Sequence, residues 1–209
     1  MNENMNENNF LELALCLAKY DPKQIEQYSK ILPFCTWTEI AGNLARYNPF
    51  QLERYAEHYN DIAWCRIAKD LSRYNPEQLE KHMDHFNKEG WHWIAEGLAT
   101  FHPAHLEKYI EHFSRDDWYH IGAMLAQWNP DHIEKYSKFF NYEDFDKIGI
   151  ILAQYHPAHL EKYIIFFNNG DIDWSWIGSY LLCFNPEYIE KLKQYIPQSI
   201  YNKYKQRRK

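Results

Sequence analysis

The chain has 209 residues, 45% of them hydrophobic and 25% charged, with a formal net charge of −6. This is enough apolar surface for one compact domain or one elongated array without cofactor or cross-link, while the acidic balance opposes a phosphate backbone overall. Charged residues interrupt every apolar run short of the roughly 18 to 20 residues that would cross a bilayer, so no membrane partner is expected.

The first nine residues, an Asn and Glu tract without apolar periodicity, are expected to form a flexible tail. From there the prolines set the organisation. Pro22, Pro49, Pro76, Pro103, Pro130 and Pro157 are 27 residues apart, and Pro186 follows after 29. Each follows an aromatic and a small polar residue, as in Tyr20-Asp21, Tyr47-Asn48, Tyr74-Asn75, Phe101-His102, Trp128-Asn129, Tyr155-His156 and Phe184-Asn185. A fixed period of this length is the signature of a repeat architecture.

Twelve residues before each proline stands Phe10, Trp37, Trp64, Trp91, Trp118, Phe145 or Trp174. Ile or Leu follows three residues later, then Ala or Gly, then an unvarying Leu from Leu17 to Leu181. Offsets of three, four and seven define one face of a helix. The small residues on that face, Ala14, Ala41, Ala68, Ala95, Gly122, Gly149 and Gly178, leave room for a neighbouring helix. The polar residue before proline reads as the N-cap of a second helix with proline in its first turn. Apolar residues three, six and ten places after proline, as in Leu106, Tyr109 and Phe113, continue the inward stripe. Asn60, Asn87, Asn141 and Asn168 read as left-handed helix ends, and Asn9, Thr36, Gly90, Asp117, Asp144 and Asp173 as the caps of fresh first helices, with Thr36 and Glu39 at capping-box spacing.

Helices of about eleven residues are marginal alone, so each pair must bury its stripe against its neighbours. The expected fold is all-α, an αα-hairpin repeat solenoid: a right-handed superhelix of seven 27-residue two-helix units. The units run 10–36, 37–63, 64–90, 91–117, 118–144, 145–173 and 174–196, with a basic segment at 197–209. That segment reads as a solubilising tail, with a short capping helix as the alternative. The architecture resembles that of tetratricopeptide and related αα-repeat proteins, whose units pair two antiparallel helices and often place the first on the concave side. Tetratricopeptide units are longer, at about 34 residues, and their residue signature is not met, so no functional residue carries over.

Cys16, Cys35, Cys65 and Cys183 form no CxxC pair and no zinc-like spacing, and nothing resembling a secretory leader precedes them, so a reducing cytoplasm is expected. His82 with His85, His102 with His105 and His156 with His159 share a three-residue spacing, but structural zinc needs a closed ligand set. Capping is the preferred reading of the His102 and His156 pairs, and no metal or cofactor is expected. Glu26, Glu53, Glu80, Glu107, Glu134, Glu161 and Glu190 recur in every second helix. They read as dipole complements and i,i+4 partners, such as Glu26 with Lys30 and Glu134 with Lys138. Without a phosphate loop or an activated nucleophile, no enzyme is expected.

In a stacked array the unvarying columns are scaffold, so recognition is expected where columns vary: ten, seven, six and three residues before proline on the first helices. The early repeats place charge there, including Arg66 and Arg73. The later ones place Trp93, His120, Met124, Ile150, Ile151, Trp176 and Tyr180, a strip that would be costly to leave in water. The competing reading is that this strip packs internally, beneath the C-terminal segment or between first helices. Lys19, Arg46, Arg66, Lys69, Arg73 and Lys147 outnumber Glu12, Glu39, Asp70 and Glu96 in the stripe by only two, too few for a phosphate track. The expected partner is therefore a protein or peptide held by an adaptor, an inhibitor or an immunity-type antidote. A nucleic-acid-reading helical repeat is the alternative. Oligomeric state is not encoded in these features.

Overall fold

The computed structural model describes residues 7–167 and 172–207. Secondary structure among them is helical, without a strand, and none of these helices is long and apolar enough to cross a membrane. Most of the expected tail, the Asn168 helix end and most of the two-residue excess lie outside the described residues. The chain divides into two compact units, Met1–His112 and Phe113–Lys209.

In the first unit α1 (Glu7–Tyr20), α2 (Phe34–Tyr47), α3 (Asp61–Tyr74) and α4 (Lys88–Phe101) pack each on the next. In the second, α5 (Arg115–Trp128) is followed by α6 (Ile133–Tyr136), α7 (Tyr142–Tyr155), α8 (Ala158–Phe167), α9 (Trp174–Phe184) and α10 (Gln198–Arg207); α5 packs on α7, α7 on α9 and α9 on α10. The consecutive packing is that of a helical repeat. The small-residue column sits at these contacts: a Cβ on Gly149 would come within 2.6 Å of Ile177, and one on Gly178 within 3.0 Å of Ile196. The basic C-terminal segment is α10, which buries Ile200 and Tyr204 and anchors Arg207 Nη1 on the Leu182 carbonyl at 3.0 Å.

Three local expectations are corrected. First, the second limbs Pro22–Gln27, Pro49–His58 and Pro76–His85 are 3-10 helices, Pro103–His112 is 3-10 with a kink at Tyr109 (φ −123°, ψ 16°), and among the described residues only α8 is a full α-helical limb. A 3-10 helix has about three residues per turn and eclipses side chains three apart, so Leu52, Tyr55 and His58 line one edge. Second, Asn60, Asn87 and Asn141 do not end helices in a left-handed conformation. They are N-caps with extended backbone, accepting from the amides of Ala63, Gly90 and Asp144 at 2.9, 2.9 and 3.0 Å. Ser114 caps α5 in the same way, and Asp117 and Asp144 are the reciprocal capping-box carboxylates, not caps themselves. Asn9, Thr36 and Gly90 lie inside helices, and α2 starts after Pro33 without a side-chain cap. Asp173 caps α9 as expected, accepting from Ser175 N.

Third, the residue before proline does not cap the second limb with its side chain. Its backbone N–H closes its own first helix, as Asn48 N does on Leu44 O at 2.8 Å, while its side chain reaches back one repeat. Asn48 Nδ2 donates to the carbonyls of Ala18 and Lys19, Asn75 Nδ2 to those of Ala45 and Arg46, and Asn185 Nδ2 to those of Ala153 and Gln154, all at 2.7–3.1 Å. His102 and His156 do the same through Nε2, to Arg73 O at 3.0 Å and Gln127 O at 2.8 Å. The last carbonyls of a helix lack intrahelical donors, and the next repeat supplies them.

Aromatic rings fill the rest of these interfaces. The ring nine places after proline stacks on the tryptophan of its own repeat: His58 on Trp37, His85 on Trp64 and His112 on Trp91, at 4.0–4.1 Å. Phe139 on Trp118 repeats this at 4.2 Å. The ring at the tenth place meets the ring of its own repeat and that of the next, as Phe86 does between Trp64 and Trp91, edge-on to both. Phe140 stands in the same way between Trp118 and Phe145.

Tyr55 and Tyr163, at the sixth place, donate to Pro22 O and Pro130 O. His82 occupies that column with 1% exposure, Nδ1 2.8 Å from Glu53 Oε1 and Nε2 without a hydrogen-bond partner among the described residues. Burial lowers its pKa, against the opposing pull of Glu53. The neutral ring therefore carries its proton on Nδ1 and donates to the carboxylate.

Two outcomes follow for stability. Asn75→Ala removes both donations to the α2 terminus and lowers stability by about 1–3 kcal/mol in urea unfolding, whereas Asn75→His, which installs the donor found at 102 and 156, recovers most of it. Because the His82 pKa is lower in the folded chain than its ordinary value of about 6.5, the unfolded chain takes up the extra proton. Stability is complete above that value and declines as pH falls below it. The urea midpoint of the wild type should therefore drop more steeply from about pH 7 to pH 5 than that of His82→Tyr; parallel profiles would show that His82 does not govern it.

Candidate interaction surface

The expected contact residues are displayed unevenly. In the first unit Arg66 is exposed, but its Nε is bound to Asp70 Oδ2 at 2.7 Å, and the pair lies where a Cβ on Gly42 would be. Trp93 is half-buried, with the Lys69 ammonium 4.1 Å above its ring. In the second unit His120 is exposed, edge-on to Tyr119 at 5.6 Å. Met124 and Ile150 are half-buried, while Trp176 is 60% exposed. Tyr180 is half-buried and stacked on Phe184. Ile151, at 9% exposure, belongs to the core. The strip expected to be continuous is interrupted there, because Ile151 shares the buried side of α7 with Ile148 and Leu152.

A second column, not singled out by its variation, is the more exposed one. The aromatic two places before each proline closes its first helix and stands out from it: Tyr20 is 72% exposed and Trp128 58%, and Tyr47, Phe101, Tyr155 and Phe184 are exposed as well. Only Tyr74 among them is half-buried. Its constancy between repeats reads as scaffold, and that masks it in the sequence. The signal available was its place beside the variable residue three before proline.

In the first unit those two positions interlock. Lys19 Nζ lies 4.9 Å from the ring centroids of both Tyr20 and Tyr47. The Arg46 guanidinium lies 5.1 Å from Tyr47 and 4.2 Å from Tyr74, and that of Arg73 lies 5.1 Å from Tyr74 and 4.7 Å from Phe101. Four rings and three cations alternate along the ends of α1 to α4. A cation over an aromatic face is attracted by the ring quadrupole. Lys19 is raised above its ordinary pKa, first by hydrogen bonding to Tyr20 and then by coupling to the Tyr20 and Tyr47 phenols. Lys19, Arg46 and Arg73 form no ion pair with a carboxylate among the described residues. In the second unit the same position holds Gln127, Gln154 and Cys183, so the rings there stand without interleaved charge.

The recurrent glutamates pair between repeats. Arg54 holds Glu26, His82 holds Glu53, Lys108 holds Glu80 and Lys191 holds Glu161. The i,i+4 pairs Glu26 with Lys30 and Glu134 with Lys138 are not formed among the described residues; Glu134 faces Lys162 instead, at 4.0 Å. Reaching the next limb is favoured because consecutive repeats stack these positions. The histidines of the expected pairs are likewise engaged. His102 and His156 bind backbone carbonyls and meet the rings of His105 and His159 edge-on. No group of three or more His, Cys, Asp or Glu side chains is placed to hold a metal among the described residues.

These features define an all-helical, repeat-built protein with rings displayed at the ends of its first helices. No family model, no curated protein and no solved structure matches the chain.

Substitution separates displayed residues from structural ones. Ile151→Glu places a carboxylate in the core and lowers stability by roughly 2–4 kcal/mol in urea unfolding, whereas Trp176→Glu shifts it by no more than about 0.5 kcal/mol. Equal effects would remove the distinction.

Proposed function

We propose that this chain is a non-enzymatic αα-repeat solenoid, seven 27-residue units in a right-handed superhelix, that works in the cytoplasm by holding a protein or peptide partner. The observation that carries the reading is the exposed ring two places before proline, which recurs within each unit at the sequence period: Tyr20, Tyr47 and Phe101 in the first, Trp128, Tyr155 and Phe184 in the second. Isolated exposed apolar residues are ordinary, but a regular series of large rings on otherwise polar helix ends is the composition of a contact surface, where aromatics and arginine are enriched. The recurrent bonds from each pre-proline side chain to the preceding repeat support the solenoid, since each unit then depends mainly on its immediate neighbours. Adaptor, inhibitor and immunity-type antidote are the roles such a surface serves without chemistry of its own.

Reading of nucleic acid is the second possibility, favoured by one observation: Lys19, Arg46 and Arg73 lie among rings, and cationic aromatic tracks bind single strands. Affinity capture from source lysate, with mass spectrometry and nuclease controls, separates the two. The expected result is a protein retained from about 0.05 to about 0.5 M salt and lost from a Trp128→Ser/Tyr155→Ser/Phe184→Ser variant of unchanged circular dichroism. Nucleic acid that dissociates steeply with salt supports the second reading instead. Equal retention of the protein by the triple variant overturns the role given to the rings.

A further inference from the structure

The alternating ladder of the first unit has a repeat distance and a charge that select a partner. Each of its cations sits 4.2–5.1 Å from the two rings it bridges. Successive rings are therefore held within roughly 10 Å of each other, the spacing of packed helices. Between each pair of rings lies one positive charge that no carboxylate of the described chain neutralises. A ligand matching this surface presents one negative group for every repeat on one side, at an interval of about 8–10 Å, the distance between packed helices.

Chain geometry decides which conformation can do that. An extended strand advances about 3.3 Å per residue but turns successive side chains to opposite faces, so positions three apart do not face the same way. An α-helix returns to the same face after seven residues, about 10.5 Å on, slightly longer than the roughly 8–10 Å between packed helices. A polyproline-II helix has about three residues per turn and rises about 3.1 Å per residue, so every third side chain faces the same way at about 9.3 Å. Its fully solvated backbone and fixed shape suit docking against exposed aromatic rings. Single-stranded nucleic acid fits less well. Bases need free ring faces for stacking, whereas Tyr47 carries Lys19 and Arg46 over its ring and Tyr74 carries Arg46 and Arg73.

We propose that the ladder Tyr20–Lys19–Tyr47–Arg46–Tyr74–Arg73–Phe101 docks a polyproline-II segment of an acidic partner bearing a carboxylate at every third residue. The proposal rests on the protein-binding reading above and gives that partner its chemistry. The carboxylates meet Lys19, Arg46 and Arg73, and the intervening apolar residues lie on the edges of the rings.

Fluorescence anisotropy with the full-length chain tests it, using labelled peptides of repeated Glu-Pro-Pro, Gln-Pro-Pro or Lys-Pro-Pro triplets and a labelled oligouridine. The Glu-Pro-Pro peptide is expected to bind saturably, about tenfold or more tighter than the Gln-Pro-Pro peptide, and that preference should narrow, while the ring contacts still hold the peptide, as salt rises through the range where surface charges are screened. Arg46→Glu/Arg73→Glu should reduce its affinity at least about tenfold, Arg46→Lys/Arg73→Lys should largely preserve it, and Lys108→Glu, on a second limb and paired with Glu80, should leave it within about twofold. An unchanged melting temperature in each variant confirms that folding is intact. No preference for glutamate over lysine or glutamine, equal binding by the charge-reversed variant, or tighter binding of oligouridine would each overturn the proposal. A protein partner captured through Trp128, Tyr155 and Phe184 while the acidic peptide fails to bind would overturn this inference alone.

Discussion

The ring at the tenth place after proline belongs to two repeats at once. Phe86 lies edge-on to Trp64 of its own repeat and to Trp91 of the next, so one ring packs against the tryptophans of two consecutive repeats. A fourteen-residue helix such as α3, followed by a 3-10 limb, has little stability alone. The shared ring converts that local weakness into a requirement for stacking. The pre-proline side chain acts at the same junction. It satisfies carbonyls that the preceding helix leaves open, adding a directional bond to a contact that is otherwise only packing. A register error between repeats would break both, so the two interactions together fix how one repeat sits on another within each compact unit.

The exposed ladder is a by-product of that junction. Asn75 holds the carbonyl of Arg46, and the neighbouring Tyr74 receives the side chain of the same arginine. Asn48 holds the carbonyl of Lys19 beside Tyr47 in the same manner, and His102 that of Arg73 beside Phe101. The bond that aligns the backbones therefore also sets each cation under the next ring. The residue three places before proline changes to Gln127, Gln154 and Cys183 in the second unit, while the backbone bonds made by His156 and Asn185 recur there.

The polar interactions of the second limbs divide between surface and interior. Glu26 with Arg54 and Glu80 with Lys108 are exposed pairs whose contribution is small. His82 with Glu53 is different because the ring is buried, and its neutral form is the one that fits. Burial likewise pushes the Tyr109 hydroxyl up to about 12, keeping it protonated in the core. The same place holds Tyr28, Tyr55, Tyr109, Tyr136, Tyr163 and Leu192 in the other repeats, so the acid sensitivity expected of His82 falls in a single repeat.

Periodicity in the letters was sufficient for the all-helical class, the proline-marked limbs, the buried Trp, Ile and Leu columns and the close approach at Gly149 and Gly178, because burial against identical neighbours imposes the same residue at the same register every time. It did not reveal that the second limbs are 3-10, although Leu52, Tyr55 and His58 already stood three apart. Nor did it reveal where Asn48 donates, since a side chain beside a helix end has local and distant acceptors of the same chemistry. Exposure was the least legible property: Ile151 varies between repeats yet is buried, and Tyr20 is matched by an aromatic in every repeat yet stands in solvent. Only the packed helices decide which side of a column meets a neighbour, and only their spacing brings Lys19, Arg46 and Arg73 between rings from different repeats.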